Sequence, residues 1–354
     1  MQARTFTTLF ILIVISLTSV FPVLGNEAAR NVKVATYNMY PGTEFSGIFL
    51  AQSPQELVAE VAEAFNDVNA SNVAERIDEI ADQIATNQPD VVGLQEVALW
   101  RYGYPQDPAA AEAVAYDFLQ VLLDSLAARG ANYAAVSVQT NLDAELTGVF
   151  SATSALDIRY TDRVVVLART DLPTSEMKVE ATTSGTFNTL LPVNLLGTTI
   201  YVQRGWASAD IKHRGKTYRF VNAHLESFYE PIQWAQAGEL LQVPTNTALP
   251  VILAGDFNSD AATGMFAYQI LLGGGLSDAW ASTNAGSAGF TWPLSDENPS
   301  VLLDPNQRID LILSRGGLTA VSSDRIGEEA GDVTPSGFRP SDHSGVVASF
   351  VLQP

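Results

Sequence analysis

Val251-Ile252-Leu253-Ala254-Gly255-Asp256-Phe257-Asn258 is an apolar run that ends on a carboxylate and an amide. Four apolar residues in succession suit a strand covered on both faces. Burying the polar pair at its end is costly unless each group is hydrogen-bonded or faces a cation. The same ending occurs twice more, at Asn38 after Val34-Ala35-Thr36-Tyr37 and at Glu96 after Val91-Val92-Gly93-Leu94-Gln95. The chain has three histidines, His213, His224 and His343, and two of them lie beside carboxylates in strand-like runs. These runs are His224-Leu225-Glu226 and Ser341-Asp342-His343-Ser344-Gly345. Five polar strand ends in one chain predict a metal-assisted hydrolytic site.

Working outward, strands and helices alternate early and hairpins fill the middle. Val32 to Tyr37 reads as a strand that breaks at Asn38-Met39-Tyr40-Pro41-Gly42. Ser53 to Ala64 suits a short helix. Asn72 to Ala85 carries Val73, Ile77, Ile80 and Ile84 at helical spacing and is stopped by Asn87-Gln88-Pro89-Asp90. Ala110 to Ala128 reads as a second amphipathic helix, ending at Arg129-Gly130. Tyr133 to Val138 and Arg163 to Ala168 are expected strands. Ile200 to Ile211 and Lys216 to Leu225 are expected to form a hairpin turned at His213-Arg214-Gly215, with His213 in solvent. Ile232 to Leu241 reads as helix; Val251 to Ala254, Ile309 to Leu313 and Val346 to Leu352 read as strands. The mix predicts an α/β protein with two packed sheets covered by helices. Without repeats or a Pro/Ser linker, one catalytic domain over residues 31–354 is the simplest organisation.

Composition sets the compartment and the partners. Apolar residues make up 47% of the chain, enough for a large core and against disorder. Arg4, the apolar run from Leu9 to Ile15 and the segment Phe21-Pro22-Val23-Leu24-Gly25 read as a secretory signal peptide over residues 1–25. The protein is therefore expected to be secreted or periplasmic. It has no cysteine, so core burial must hold it together there without disulfides. The net charge of −20 disfavours a broad grip on nucleic acid, which depends on Lys and Arg neutralising phosphates. A bound divalent cation supplies local positive charge that this sum misses, so nucleic acid stays admissible as substrate without being favoured. No protein partner is inferred.

Six motifs in order carry a family likeness. Thr36-Tyr37-Asn38, Leu94-Gln95-Glu96, Asn222-Ala223-His224-Leu225, Gly255-Asp256-Phe257-Asn258, Arg308-Ile309-Asp310 and Ser341-Asp342-His343 together resemble the endonuclease/exonuclease/phosphatase superfamily. That superfamily includes pancreatic-type deoxyribonucleases, inositol-polyphosphate phosphatases and secreted sphingomyelinases. The resemblance spans nearly the whole mature chain. It implies a four-layered α/β sandwich with two packed mixed β-sheets, a site at one end of the sheets, and hydrolysis of a phosphoester with Mg²⁺ or Mn²⁺.

The residue chemistry agrees with that implication. Glu96 is a hard oxygen ligand of the kind Mg²⁺ prefers. Asn38 can coordinate through its amide oxygen or orient Glu96, and it is also a turn former ahead of Pro41. Asp342 is a further metal-side carboxylate, direct or through water. Asp256 and Asn258, two apart, would point the same way in an extended segment. The carboxylate could then take a proton from water or contact the metal, and the amide could donate to a phosphate oxygen. Asp310 is the expected partner of His343, holding one tautomer of the imidazole and stabilising its protonated form. The resemblance leaves open whether His343 or Asp256 activates the water, and it gives His224 the role of donor to the phosphate. Arg204 and Asn141 are candidate substrate contacts, and Asp162-Arg163 is a weaker candidate pair.

The expected activity is that of a phosphodiesterase acting on a lipid or small phosphoester. An extracellular endonuclease and a catalytically inactive binding module are the rivals. Thr189 to Gly197 bears on the substrate. As an exposed apolar loop it would make transient contact with a membrane surface; as a buried hairpin it would not.

Overall fold

A computed structural model of the protein describes residues 31–295 and 303–353; the expected signal peptide lies outside them. The chain begins with β1 (Asn31–Asn38), α1 (Ser46–Leu50), α2 (Pro54–Ala70), α3 (Val73–Asn87) and β2 (Val91–Gln95). β3 (Leu99–Gly103), β4 (Ala113–Asp117), α4 (Phe118–Ala128) and the long strands β5 (Tyr133–Ser151) and β6 (Ser154–Arg169) follow. Next come β7 (Met177–Thr186), β8 (Leu191–Leu195), β9 (Thr198–Val202), β10 (Gly205–His213) and β11 (Lys216–His224). α5 (Glu230–Gln242), β12 (Val251–Asp256), α6 (Phe266–Gly273), β13 (Ser277–Asp278) and α7 (Ala279–Thr283) lead to β14 (Asp310–Arg315), β15 (Leu318–Ile326) and β16 (Gly345–Leu352).

The strands form two large mixed sheets. One has the order β15-β16-β1-β2-β6-β3-β4, with β5 paired to β6; the other has the order β13-β14-β12-β11-β10-β7. β1 runs parallel to β2 and β11 parallel to β12, so in each sheet a pair of strands delivers its carboxyl ends together. Between the sheets lies a core that includes Val34, Val91 and Val166 from one side and Ile211, Phe220 and Ile252 from the other. The outer face of the first sheet is covered by α2, α3 and α4 through Phe65, Ile77, Ile80 and Leu122. That of the second is covered by α5 and α6 through Leu240 and Leu271. Helix, sheet, sheet, helix gives the four-layered sandwich.

The helices form where the apolar spacing places them. In α3, Val73, Ile77, Ile80 and Ile84 all face inward and the helix ends at Gln88, in the left-handed region before Pro89. α2 starts with Pro54 behind Ser53, whose hydroxyl accepts from Glu56 N at 3.2 Å. Each such fully buried aliphatic side chain stabilises the fold by roughly 1.5–3 kcal/mol.

Four expectations change. Ala110 to Ala128 is not one helix: Ala113–Asp117 is the edge strand β4, paired to β3, and Asp117 caps α4. Tyr133 to Val138 and Arg163 to Ala168 are parts of a much longer hairpin, β5 with β6. Ile200 to Ile211 is broken at Gln203 and Arg204, because β9 pairs with β8 while β10 pairs with β7 and β11. His213 is the last residue of β10 and is buried, not solvated; burial pushes its imidazole down, opposed by the nearby Asp90. Thr189 to Gly197 resolves as the start of the β8–β9 hairpin. That hairpin is half-buried on one face and turns through Leu196 and Gly197 at φ of 50° and 89°.

Candidate active site

Strand register assembles the site. In the second sheet His224 of β11 stands opposite Asp256 of β12, and Asp256 stands opposite Asp310 of β14. In the first sheet Asn38 of β1 stands opposite Gln95 of β2, which puts Glu96 just beyond the strand end. His343 arrives just before β16, the neighbour of β1. Beyond the strand ends the backbone turns through Tyr40, Glu96 and Asn258 at φ of 54°, 52° and 49°. Left-handed backbone at three non-glycine residues around one cleft is strain of the kind held at functional sites.

Asn222 keeps the two sheets in register beneath this cleft. Its Nδ2 donates across the core to Leu94 O at 2.8 Å and Val165 O at 2.9 Å, while its Oδ1 accepts from Gln95 Nε2 at 2.6 Å. Gly93 has to be glycine, since a Cβ there would lie 2.7 Å from the Asn222 side chain.

The proton-handling half of the site is one hydrogen-bonded cluster. His343 Nδ1 lies 2.9 Å from Asp310 Oδ2. Burial alone would lower the His343 pKa, but Asp310 and Asp342 outweigh it and hold the imidazole well above its ordinary range. Asp256 Oδ2 sits 3.9 Å from His343 Nε2 and 3.5 Å from His224 Nε2. Burial and the neighbouring Asp310 push Asp256 up to about 6. Asn38 Nδ2 donates to Asp256 Oδ2 at 3.0 Å, and its Oδ1 accepts from Tyr40 N at 3.0 Å. The amide of Asn38 is therefore turned to Asp256, not to Glu96. Asn258 is not extended: its own N–H donates to Asp256 Oδ1 at 2.9 Å and its Nδ2 donates to Leu225 O at 3.0 Å. Both residues line the cleft because of this turn, and strand alternation plays no part.

His224 is the electrostatic opposite of His343. Arg204 Nη1 lies 2.9 Å and 3.1 Å from its two ring nitrogens. Burial first, then Arg204 and His343, lower its pKa well below the ordinary value, so the ring is neutral. A neutral imidazole can donate one hydrogen bond into the cleft without bringing a charge.

Glu96 and Asp342 form the other half of the cleft. Both line the cleft, with side chains 20% and 11% exposed. The Glu96 carboxylate accepts no hydrogen bond among the described residues; His224 Nε2 is 4.0 Å from its Oε1. Burial and the Asp342 charge raise the Glu96 pKa well above the carboxylate range. Two oxygen ligands that repel each other at the mouth of a cleft fit a hard divalent cation. Among the described residues Asp256, Asp310 and His343 also bring ligand atoms within 4.8 Å of one another. This inner cluster is a second set of groups that could hold an ion.

Arg204 projects into the cleft from between β9 and β10. Asn141 does not reach it. It is buried in β5, donating Nδ2 to Asp162 Oδ2 at 2.9 Å, beneath Gly205, where a Cβ would lie 2.8 Å from its oxygen. Asp162, its hydrogen-bond partner, lines the adjoining cavity beside Arg204 and Glu96.

Residues 61–343 match the sequence profile of the Endonuclease/Exonuclease/phosphatase family. The protein belongs to that family. Among curated proteins none matches the chain. Solved structures similar to it include an endonuclease/exonuclease/phosphatase from Bacteroides vulgatus. At 18% identity that match covers 91% of this chain and 99% of that one, with a TM-score of 0.57. A mannosyl-6-phosphatase from Bacteroides thetaiotaomicron is 16% identical over 90% of this chain and 99% of its own, with a TM-score of 0.54. Truncated TDP2 from Caenorhabditis elegans is 17% identical over 91% and 97%, with a TM-score of 0.52. At these identities the structures share the fold with this endonuclease/exonuclease/phosphatase protein, whose family acts on phosphoester substrates.

The sequence reading missed several residues that shape this site. Arg76 of α3 is fully buried and donates to backbone carbonyls of Ser71, Met39, Tyr40 and Pro340 at 3.0–3.4 Å. It ties the turn after Asn38 to the segment before Asp342 and His343. An arginine within the helical pattern of α3 carries no mark of that task. Phe45, Phe228 and Trp292 wall the cleft from loops whose positions depend on tertiary packing.

Proposed function

We propose that the protein is a secreted, divalent-metal-dependent phosphodiesterase whose substrate is a lipid or small phosphoester. The observation that carries this reading is the convergence in one cleft of the His343–Asp310 pair, Asp256, neutral His224 and the hydrogen-bond-free Glu96. Glu96 and Asp342 would hold the ion, Mg²⁺ or Mn²⁺. When bound, it supplies Lewis-acid polarisation of the phosphoryl group.

The chain's own groups do the rest. His343, kept protonated by Asp310, and His224, kept neutral by burial and Arg204, aim hydrogen bonds at the phosphoryl oxygens. Asp256, with a pKa near neutrality and Asn38 fixing one oxygen, is the group placed to take the proton of an attacking water. His343 becomes the alternative base only if it gives up that proton. Arg204 offers a positive charge to the same phosphate.

Two features support a lipid or small substrate over a nucleic acid. Arg204 is the one Lys or Arg lining the cleft among the described residues. Leu196, 38% exposed at the β8–β9 turn, offers an apolar tip to a membrane surface. Among the described residues no helix is long and apolar enough to cross a membrane. The test is turnover of methyl 4-nitrophenyl phosphate by purified protein with chelator, then with Mg²⁺ or Mn²⁺ restored. Metal-restored release of 4-nitrophenolate supports the reading. No turnover with either ion returns the protein to the class of inactive binding modules.

A further inference from the structure

We infer that an apolar groove running from the catalytic cleft along the β5–β6 hairpin is a subsite for one alkyl chain of the substrate phosphodiester. This rests on the proposed phosphodiesterase activity and specifies what the activity selects.

Three cavities join end to end. The catalytic cleft shares Phe45, Glu96, Arg204 and Phe228 with the next cavity, which shares Phe45, Phe49, Leu142 and Tyr160 with the third. Phe45 lines all three. Its ring is held at 4.8 Å from Tyr160 and stacked at 6.1 Å on Trp100, so the floor of the passage is a fixed aromatic surface. The third cavity is lined by apolar and aromatic side chains; the polar side-chain groups among them are the Tyr160 hydroxyl and the Trp100 indole N–H, which already donates to Pro41 O at 3.1 Å.

One side of this cavity is the core itself, with Val61, Trp100 and Ile158 buried; the other side is less committed. α1 carries Ile48, Phe49 and Leu50 in succession, yet none of its residues is buried and Leu50 is 69% exposed. Opposite α1 stand Leu195 and Ile200 of the β8–β9 hairpin, half-buried toward the groove. α1 and the β8–β9 hairpin pack close together, yet Ile48, Leu195 and Ile200 stay only half-buried where they line the cavity, so further burial is open to them. A chain entering from the cleft would supply that burial. Charge agrees with the shape: beyond Arg204 the passage has no cation among the described residues for a second phosphate, and Glu96 and Asp162 would repel one. The fitting substrate therefore has one phosphate and an adjacent hydrocarbon chain.

The test uses methyl 4-nitrophenyl phosphate as a fixed reporter and the methyl, butyl and octyl members of the methyl alkyl phosphates as competitors, below their aggregation concentrations. The inhibition constant should fall by about fourfold for each methylene the groove buries. Ile48→Asp and Ile200→Asp should flatten that dependence while reporter turnover stays near wild type. Equal inhibition by the methyl and octyl compounds in the unaltered protein would overturn the inference and leave the phosphodiesterase reading standing. Loss of reporter turnover would sink the phosphodiesterase reading instead. Calorimetric titration of the octyl against the methyl compound still reads the groove in that case, and equal affinities there would also overturn the inference.

Discussion

In the proposed mechanism the chemistry turns on the 2.9 Å hydrogen bond between His343 Nδ1 and Asp310 Oδ2. Asp310→Asn keeps the shape but offers an amide where the imidazole needs a carboxylate. His343→Ala removes the ring. Each is expected to lower kcat/KM by about a hundredfold or more, the scale of a lost acid–base or electrostatic group. The two act as a unit, so the double mutant should lose far less than the product of the single losses. Steady-state kinetics on the four proteins checks this, and strict multiplicativity would separate the residues. Glu96 poses the complementary question. Glu96→Gln removes a charge that no hydrogen bond satisfies and that Asp342 repels. Mg²⁺ affinity measured calorimetrically should therefore drop while the melting temperature holds or rises.

At the scale of elements, the site depends on how strand ends are tied together. Arg76 leaves α3 and donates to carbonyls on both sides of the cleft. Arg76→Met would keep much of the packing but strip several buried carbonyls of their donor, at about 1–3 kcal/mol for each group left unsatisfied. Urea unfolding should show a loss of about 3 kcal/mol or more, and activity should fall with it as Asn38 and His343 lose their common tether. Wild-type stability would show that water or repacking replaces the guanidinium.

The same scale explains what was legible in the sequence. β2 and β12 are covered strands whose apolar runs end on polar residues, and β14 and β16 are apolar runs with Asp310 and His343 at or just before their starts, so both the elements and the neighbouring site residues could be read. Ala113–Asp117 lies at a sheet edge with none of its residues buried, and its alanines suit helix and strand alike. Only pairing with β3 decides it. Arg204 was legible as a candidate, but its contact with His224 required the break between β9 and β10, which depends on which strands those two pair with. Asn141 failed as a substrate contact because alternation along β5 turns it inward.

For the whole molecule, charge and layering decide what can approach. A chain of net charge −20 with one arginine at its cleft has few counterions to release from a polyanion. Binding to duplex DNA should be weak and its salt dependence shallow, well below the slope of a protein that makes many phosphate contacts. Fluorescence anisotropy of a labelled duplex across a salt series checks this; tight binding with a steep slope would restore the endonuclease reading. The sandwich itself was legible from alternating elements, and its end-on site from six ordered motifs. The groove beside the cleft was not, because α1, β5 and β9 meet there from distant parts of the chain. The most direct test of the central claim is initial-rate hydrolysis of methyl 4-nitrophenyl phosphate by wild type and Glu96→Gln across a Mg²⁺ titration after chelation. The account predicts no turnover without metal, saturable recovery in wild type, and recovery in Glu96→Gln only at much higher Mg²⁺. Full activity in excess chelator would contradict it.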